Sequence, residues 1–228
     1  MGAITRKNFM ANRTDPYLVK SIIWDWNGTL LDDRQLCVDI MDGLLRRYGL
    51  GRLDLKRYLD IFRFPIREYY RDLGFREEIV PFEKVATEFI EAYEKEKFST
   101  SLRDGALETL EIFAERGQRQ YILSASKLPS LHAVLEHFGI RRYFSGIYGL
   151  NDHYAGGKSG IGREMMLEEK LKAKETLYIG DTLHDAEVAG DTGVPCILVH
   201  GGHNSEERLR YCGCRVFRGL RFIPYFYH

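Results

Sequence analysis

Four places in the chain put reactive side chains at the ends of short apolar runs or at the opening of a helix. In Ile22-Ile23-Trp24-Asp25-Trp26-Asn27-Gly28-Thr29 a hydrophobic run stops at a carboxylate, and a glycine and a hydroxyl residue follow. Tyr121-Ile122-Leu123-Ser124 ends in a hydroxyl, and Gly156-Gly157-Lys158-Ser159 reads as a loop opening a helix. The last stretch is Leu177-Tyr178-Ile179-Gly180-Asp181-Thr182-Leu183-His184-Asp185. Together they offer a carboxylate nucleophile at Asp25, a hydroxyl at Ser124, an ammonium at Lys158 and an acidic pair, Asp181 and Asp185, of the kind a divalent metal site uses. Taken singly, each has an ordinary structural explanation: a turn Asp, a strand-end Ser, a surface Lys, a first-turn helix acid. As a set they require that several strand ends meet.

The elements must therefore bring distant segments to one edge. Residues 17–24 read as a buried strand, with Gly28 allowing a sharp turn. Helical spacing then takes over. Leu36, Ile40, Leu44 and Leu45 share one face, then Leu55, Tyr58, Leu59 and Phe62, then Ile66, Tyr69, Tyr70 and Leu73. Pro65 breaks the second run, and Pro81 opens a fourth with Val85, Phe89, Ile90 and Tyr93 on its face. About 65 residues with helical and no strand signal cannot belong to a sheet, so residues 35–99 read as a small helical cap inserted after the first strand.

From Asp104 helix and strand alternate. Asp104 reads as the N-cap of a helix turning Leu107, Leu110, Ile112 and Phe113 inward. Strands are expected at 120–124, 144–150, 176–179 and 195–199, a last edge strand at Val216-Phe217, and helices between them. That rhythm specifies an α/β fold with a doubly wound parallel sheet, in which ligands bind at the carboxyl ends of strands. The expected domains are residues 17–34 with 100–228 as the α/β core, 35–99 as the all-helical cap, and 1–16 as a polar N-terminal extension.

The four motifs, in this order, resemble those of the haloacid dehalogenase superfamily, and within it the phosphoglycolate phosphatase-like members; the resemblance runs from about Val19 to Val199. It implies that the Asp25 strand lies centrally, between the Ser124 and Asp181 strands. It also implies a Mg2+-dependent phosphatase acting on a small phosphorylated metabolite through an aspartyl-phosphate. Phosphoryl transfer needs an in-line nucleophile and neutralisation of the phosphoryl oxygens. On this pattern Asp25 attacks, and Mg2+ is held by Asp25, the Asn27 carbonyl and Asp181. Asp185 stands nearby to orient Lys158 or a water of the ion. Lys158 balances charge, and Ser124 donates to a phosphate oxygen. Thr29 braces the loop. Specificity falls to the cap, with Arg63 and Arg67 the candidates for a second anionic group, although both also suit a solvent-facing helix surface.

One position departs from the pattern. Most phosphatases of this family carry Asp two residues after the nucleophile, as general acid and then general base; here it is Asn27. An amide cannot exchange a proton at neutral pH, and loss of such a group costs about 10²–10⁴-fold in rate. On this reading Asn27→Asp should speed turnover. Either another residue, with a cap residue, His184, His200 and His203 as candidates, supplies the proton, or turnover is slow. The alternative function is therefore a catalytically impaired phosphate-binding or regulatory protein. A metal-free dehalogenase fits less well because of the acidic pair, and no G-x-G-x-x-G follows the first strand as a dehydrogenase would require.

Bulk properties narrow the setting. The 228 residues carry 33 basic and 33 acidic side chains, so no face-sized basic excess points to nucleic acid. Neither a signal peptide nor a membrane-length apolar run is visible. The four cysteines, Cys37, Cys196, Cys212 and Cys214, do not make two zinc-type pairs. A reduced, cytoplasmic protein, monomer or homodimer, follows as the expectation, with no membrane or nucleic-acid partner.

Overall fold

The computed structural model describes residues 19–150 and 157–227. The expected N-terminal extension, the first two residues of the expected first strand, and Gly156 lie outside the described residues. Eight strands and nine α-helices are described: β1 (Ser21–Trp24), β2 (Leu31–Asp32), α1 (Arg34–Arg47), α2 (Leu55–Ile61), α3 (Ile66–Asp72), α4 (Phe82–Glu96), β3 (Ser101–Leu102), α5 (Ala106–Glu115), β4 (Arg119–Lys127), α6 (Leu128–His137), β5 (Gly146–Leu150), α7 (Gly157–Glu168), β6 (Thr176–Gly180), α8 (Leu183–Thr192), β7 (Cys196–Val199), α9 (Glu206–Leu209) and β8 (Arg215–Phe217).

Six strands form one sheet in the order β5-β4-β1-β6-β7-β8, with parallel pairing throughout. All four residues of β1 are buried, which is why its sequence is continuously apolar rather than alternating. Alternation still divides its side chains between two layers. Ile22 and Trp24 join α5, α6 and the C-terminal segment, whereas Ile23 packs with Ile161 and Met165 of α7 and Val188 and Ala189 of α8. Polar groups in the core are paired: the Trp24 indole N–H donates to Gln120 Oε1 at 3.0 Å, and Gln120 Nε2 donates to the Leu110 carbonyl at 2.9 Å. Trp24 lies between β4 and β6, so the carboxyl end of β1 opens between the ends of its neighbours.

Helices α1 to α4 build a separate hydrophobic cluster around Met41, Leu45, Tyr58, Tyr69 and Val85. The chain leaves the sheet through β2 and returns through β3, and these two short strands pair antiparallel, Leu31 opposite Leu102. Arg103, just past β3, reinforces the junction by donating to the Gly28 carbonyl at 2.6 Å and the His200 carbonyl at 2.7 Å.

Three local expectations are corrected. The N-cap of α5 is Gly105, in the left-handed region at φ 77° with no side-chain cap; Asp104 pairs instead with Arg221. Leu107 is 42% exposed, because α5 turns Ala106, Leu110 and Phe113 to the sheet and its first turn overhangs the edge. On α4, Ile90 is likewise exposed, and the inward stripe is Val85, Phe89 and Tyr93.

Candidate active site

Asp25 directly follows β1, and its backbone N–H still pairs with the Ile179 carbonyl at 2.9 Å, which holds it beside the end of β6. The loop behind it closes on itself: the Thr29, Leu30 and Leu31 N–H groups all donate to the Trp26 carbonyl. A bridge between Asn27 and Leu31 runs through the Trp26 carbonyl and the Gly28 N–H, so the Asn27 carbonyl is not used in it. Gly28 sits at φ 76°, and a Cβ there would lie 2.5 Å from Asp181 Oδ2 and closer still to the His203 ring. Only glycine lets the loop approach both groups.

The Asp25, Asp181 and Asp185 carboxylates present oxygens within 4.8 Å of one another, all buried. Thr29 joins the first two, its hydroxyl lying 3.1 Å from Asp25 Oδ2 and 2.7 Å from Asp181 Oδ1. Lys158, in the first turn of α7, donates to Asp25 Oδ1 and, at 2.7 Å, to Asp185 Oδ1. Ser124 is buried on β4, where the pairing with β5 becomes irregular, and its oxygen accepts from the Ser126 N–H at 3.0 Å.

Asp185 is saturated within the protein. Oδ1 also receives the Tyr178 hydroxyl at 3.2 Å, and Oδ2 receives the N–H groups of Asp181 and Thr182 and the Thr182 hydroxyl. Thr182 and Asp185 form a reciprocal capping box at the start of α8. Direct metal ligation by Asp185 would break this set. Its role here is to anchor Lys158 and the turn that presents Asp181.

Burial, with repulsion from Asp185 and Asp181, pushes the Asp25 carboxyl well above its usual range, against the pull of Lys158. Burial raises Asp181 as well, opposed mainly by His203. Burial alone would raise Asp185 too, but the Lys158 charge and hydrogen bonds from Lys158 and Thr182 hold it low. Lys158 is raised because Asp185 and Asp25 outweigh its own burial. Three carboxylates facing one ammonium leave two negative charges, which one hard dication would neutralise. The donors are all carboxylate oxygens, so the chemistry of the residues present fits Mg2+.

A second buried cluster adjoins the first. His203 donates its backbone N–H to Asp181 Oδ2 at 2.6 Å, and its ring Nε2 lies 3.1 Å from Asp33 Oδ1. Burial would lower the His203 pKa, but the Asp33 charge and hydrogen bond raise it from 6.5 to about 9. The imidazolium then donates Nδ1–H to the Tyr58 hydroxyl, 2.7 Å away. Asp33 also accepts from the Gly28 N–H at 3.0 Å, Asn27 Nδ2 at 2.6 Å and the Tyr93 hydroxyl at 2.8 Å. Of the other two histidines considered, His184 stacks on Phe64 with ring centroids 4.4 Å apart, and His200 pairs at 3.7 Å with Glu206 on the surface.

The sequence reading did not single out Asp33, Tyr93 or Asn204. Asp33 is the second member of the Asp32-Asp33 doublet closing the first motif. Tyr93 reads as one more residue of an apolar stripe, and only its hydroxyl hinted at a polar role. Asn204 joins core to helical cluster by accepting from the Leu183 N–H and donating to the Phe62 carbonyl.

Arg63 and Arg67 are not brought to the cluster. Arg63 pairs with Asp72 at 2.7 Å and Glu68 at 3.3 Å, and Arg67 with Glu77 and Glu83 over the face of Phe82. Aromatic rings reach the core instead: Phe62 lies 5.3 Å from the His203 ring, and Phe64 stacks on His184.

A Rossmann-type sheet whose central strand ends in a buried Asp–Lys–Asp constellation, with helices leaning over it, defines a class of hydrolase. Residues 22–199 match the haloacid dehalogenase-like hydrolase family. The chain is 31% identical over 196 residues to a 5'-nucleotidase of Pseudomonas aeruginosa, covering 83% of this chain and 86% of that one. It is 24% identical to a phosphoglycolate phosphatase of Rhodobacter capsulatus, over 82% and 86% of the two chains. Among solved structures, a haloacid dehalogenase-like hydrolase from Streptococcus pneumoniae superposes with a TM-score of 0.77 at 18% identity, over 91% of this chain and 98% of that one. CbbY from Rhodobacter sphaeroides, solved in complex with phosphate, gives 0.69 at 19% identity, over 89% and 95%. The chain belongs to the haloacid dehalogenase-like hydrolase family. Among the described residues no helix is long and apolar enough to cross a membrane.

Proposed function

We propose that this hydrolase is a Mg2+-dependent phosphatase of small phosphorylated metabolites that works through a phosphoryl group carried on Asp25. The observation that carries the reading is Lys158 bridging Asp25 and Asp185, with Asp181 tied to Asp25 through Thr29. Phosphatase and nucleotidase relatives along most of the chain support it.

Asp25 is fixed by Lys158 and Thr29, and its attack forms the Asp25–phosphorus bond as the bond to the leaving oxygen breaks. Lys158 holds charge beside the oxygens that gain it. Ser124 offers its hydroxyl to a phosphoryl oxygen. Mg2+ held by Asp25, Asp181 and the Asn27 carbonyl would supply the Lewis acidity that lets a carboxylate approach a phosphate dianion. Residues 35–99 act as the cap that excludes water and reads the rest of the substrate. The rings of Phe62 and Phe64, rather than Arg63 or Arg67, are the better specificity elements, because both guanidinium groups already have carboxylate partners.

The second reading, a phosphate-binding protein without efficient turnover, draws on the Asn27 amide, whose Nδ2 donates to both Asp33 and Tyr93. The two readings separate on one experiment: a panel that includes phosphoglycolate, nucleoside 5'-monophosphates and sugar phosphates, with and without Mg2+, on the native chain and Asp25→Asn. Turnover that requires both the ion and Asp25 supports the phosphatase. Tight phosphate binding with no turnover on any ester supports the other reading.

A further inference from the structure

Three of the four cysteines meet at the β7–β8 edge of the sheet. These strands pair in parallel with Ile197 opposite Arg215, so the preceding residues, Cys196 and Cys214, face each other across the two chains. Cys196 packs on the α7–α8 side of the sheet and Ile197 on the other, and in this register Cys214 shares the face of Cys196. Gly213, in the left-handed region at φ 78°, folds the chain back between Cys212 and Cys214, and the Cys214 N–H donates to the Cys212 sulfur at 3.4 Å. The Cys214 thiol therefore lies between the other two and hydrogen-bonds with both. All three are half-buried, and the turn that carries Cys212 and Cys214 is at the surface, with Tyr211 80% exposed. The fourth, Cys37, is buried against Asp33 in the helical cluster. Burial pushes the Cys196 thiol up, contact with Cys214 does so for Cys212, and contact with Cys196 does so for Cys214. None is held as a thiolate, so the reduced state has no such charge stabilisation to resist closing into a disulfide.

We propose that Cys196, Cys212 and Cys214 form a redox site that closes a reversible disulfide centred on Cys214, oxidised by a low-molecular-weight disulfide. The inference goes beyond the phosphatase reading and does not depend on it. Cys212, on the surface turn, attacks one sulfur of the small disulfide. A Cys212–sulfur bond forms, the small disulfide's own bond breaks, and one small thiol leaves with the proton that Cys212 gives up. Cys214 then attacks the Cys212 sulfur, and the second small thiol leaves with the Cys214 proton. Cys196 attacks the Cys214 sulfur in turn, the Cys196–Cys214 bond forms, and Cys212 is released as a thiol with the Cys196 proton. In sum, two protein thiols give up two electrons and two protons, and one small disulfide becomes two small thiols. Proximity rather than thiol acidity drives the two internal steps. Facing residues on neighbouring strands have Cα atoms about 4.8 Å apart, inside the range a disulfide spans. The Cys196–Cys214 bond closes off the segment between β7 and β8, which carries His203 and its N–H contact to Asp181 at 2.6 Å, so oxidation pins both ends of the loop that holds Asp181.

The test uses the full-length folded chain, reduced, freed of reductant and exposed to oxidised glutathione in mildly alkaline buffer, with intact-mass measurement and peptide mapping without reduction. The native chain should lose two hydrogens, with Cys214 found paired to Cys196 and to Cys212 and with Cys37 still a thiol, and dithiothreitol should reverse the change. Cys214→Ser should form the internal disulfide about 10-fold more slowly or not at all, and carry glutathione on the remaining thiols instead. Cys196→Ser should still close the Cys212–Cys214 bond, which keeps the test decisive if one variant folds poorly. Glutathione adducts with no internal disulfide in the native chain overturn the proposal. So does a Cys214→Ser protein that closes a disulfide as readily as the native one, or a native product in which Cys196 never leaves the thiol state. None of these readouts uses cleavage of a phosphate ester, so failure of the phosphatase reading and failure of this inference are told apart.

Discussion

Asn27→Asp, the change that sequence logic would choose to repair the site, meets an obstacle that only the structure reveals. Asn27 Nδ2 lies 2.6 Å from Asp33 Oδ2. A carboxylate at position 27 replaces that hydrogen bond with two like charges in contact. At an effective dielectric constant of about 20 their repulsion is about 6 kcal/mol. The protein avoids most of it by holding one proton between the two groups, so the penalty is limited by the work of keeping a carboxyl protonated. From an ordinary Asp pKa of about 3.9, that work is about 4 kcal/mol at pH 7 and about 1.5 kcal/mol at pH 5. A carboxyl whose folded pKa is raised loses stability as pH climbs above its unfolded value. The variant should therefore weaken steadily from pH 4 to 7, relative to the native protein. Turnover should not rise, because the new carboxyl is locked to Asp33. The exchange Asn27→Asp with Asp33→Asn rebuilds the same hydrogen bond with its polarity reversed. It should be more stable than the sum of the two single substitutions implies, a coupling of about 3 kcal/mol between the two sites, while still lacking the Asp33 charge that pairs with His203. Urea unfolding of the four proteins at pH 5 and 7 reads all of this. Additive effects of the two substitutions, or an Asn27→Asp protein as stable as the native one with no added pH slope, would refute the reasoning.

Three further outcomes follow from the geometry. With chelator present, the His203–Asp33 pair should stabilise the fold fully below pH 6.5 and lose that contribution as pH rises through about 9, by about 3 kcal/mol; urea unfolding at pH 6 and 9.5 should show the slope, and His203→Gln should lack it. Saturating Mg2+, at about 100 times its dissociation constant, should raise the unfolding free energy by about 2.7 kcal/mol. Asp181→Asn should abolish that gain, and an unchanged Mg2+ response in this variant would move the ion elsewhere. Arg67→Ala should leave substrate preference unchanged because its partners are Glu77 and Glu83, whereas Phe64→Ala, which unstacks His184, should shift KM among substrates by several-fold; the reverse pattern would restore the arginines as specificity residues.

Much of this protein is written locally. Continuous apolar runs mark the buried strands, and the breaks at Gly28, Pro65, Pro81 and Gly193 mark where elements turn or end, because backbone restriction acts within a few residues. The Thr182-to-Asp185 capping box, which the sequence reading did not single out, explains why Asp185 anchors a helix start. The order of reactive strand ends along the chain was enough to suggest the family and a central place for the Asp25 strand, which the sheet order bears out. The Asp33 cluster was not legible. Its partners Asn27, Tyr93 and His203 lie 6, 60 and 170 residues away, and no periodicity predicts which hydroxyl or ring will meet a given carboxylate. Only the packing of α4 and of the loop after β7 against the end of β1 decides that. The same holds for Arg63 and Arg67: sequence shows a guanidinium free to bind an anion, while the fold supplies Asp72, Glu77 and Glu83 to occupy it. Local rules select elements because they depend on neighbours along the chain. The Asp33 hydrogen-bond cluster and the charge balance depend on neighbours in space, and these exist only once the sheet and the helical cluster have met.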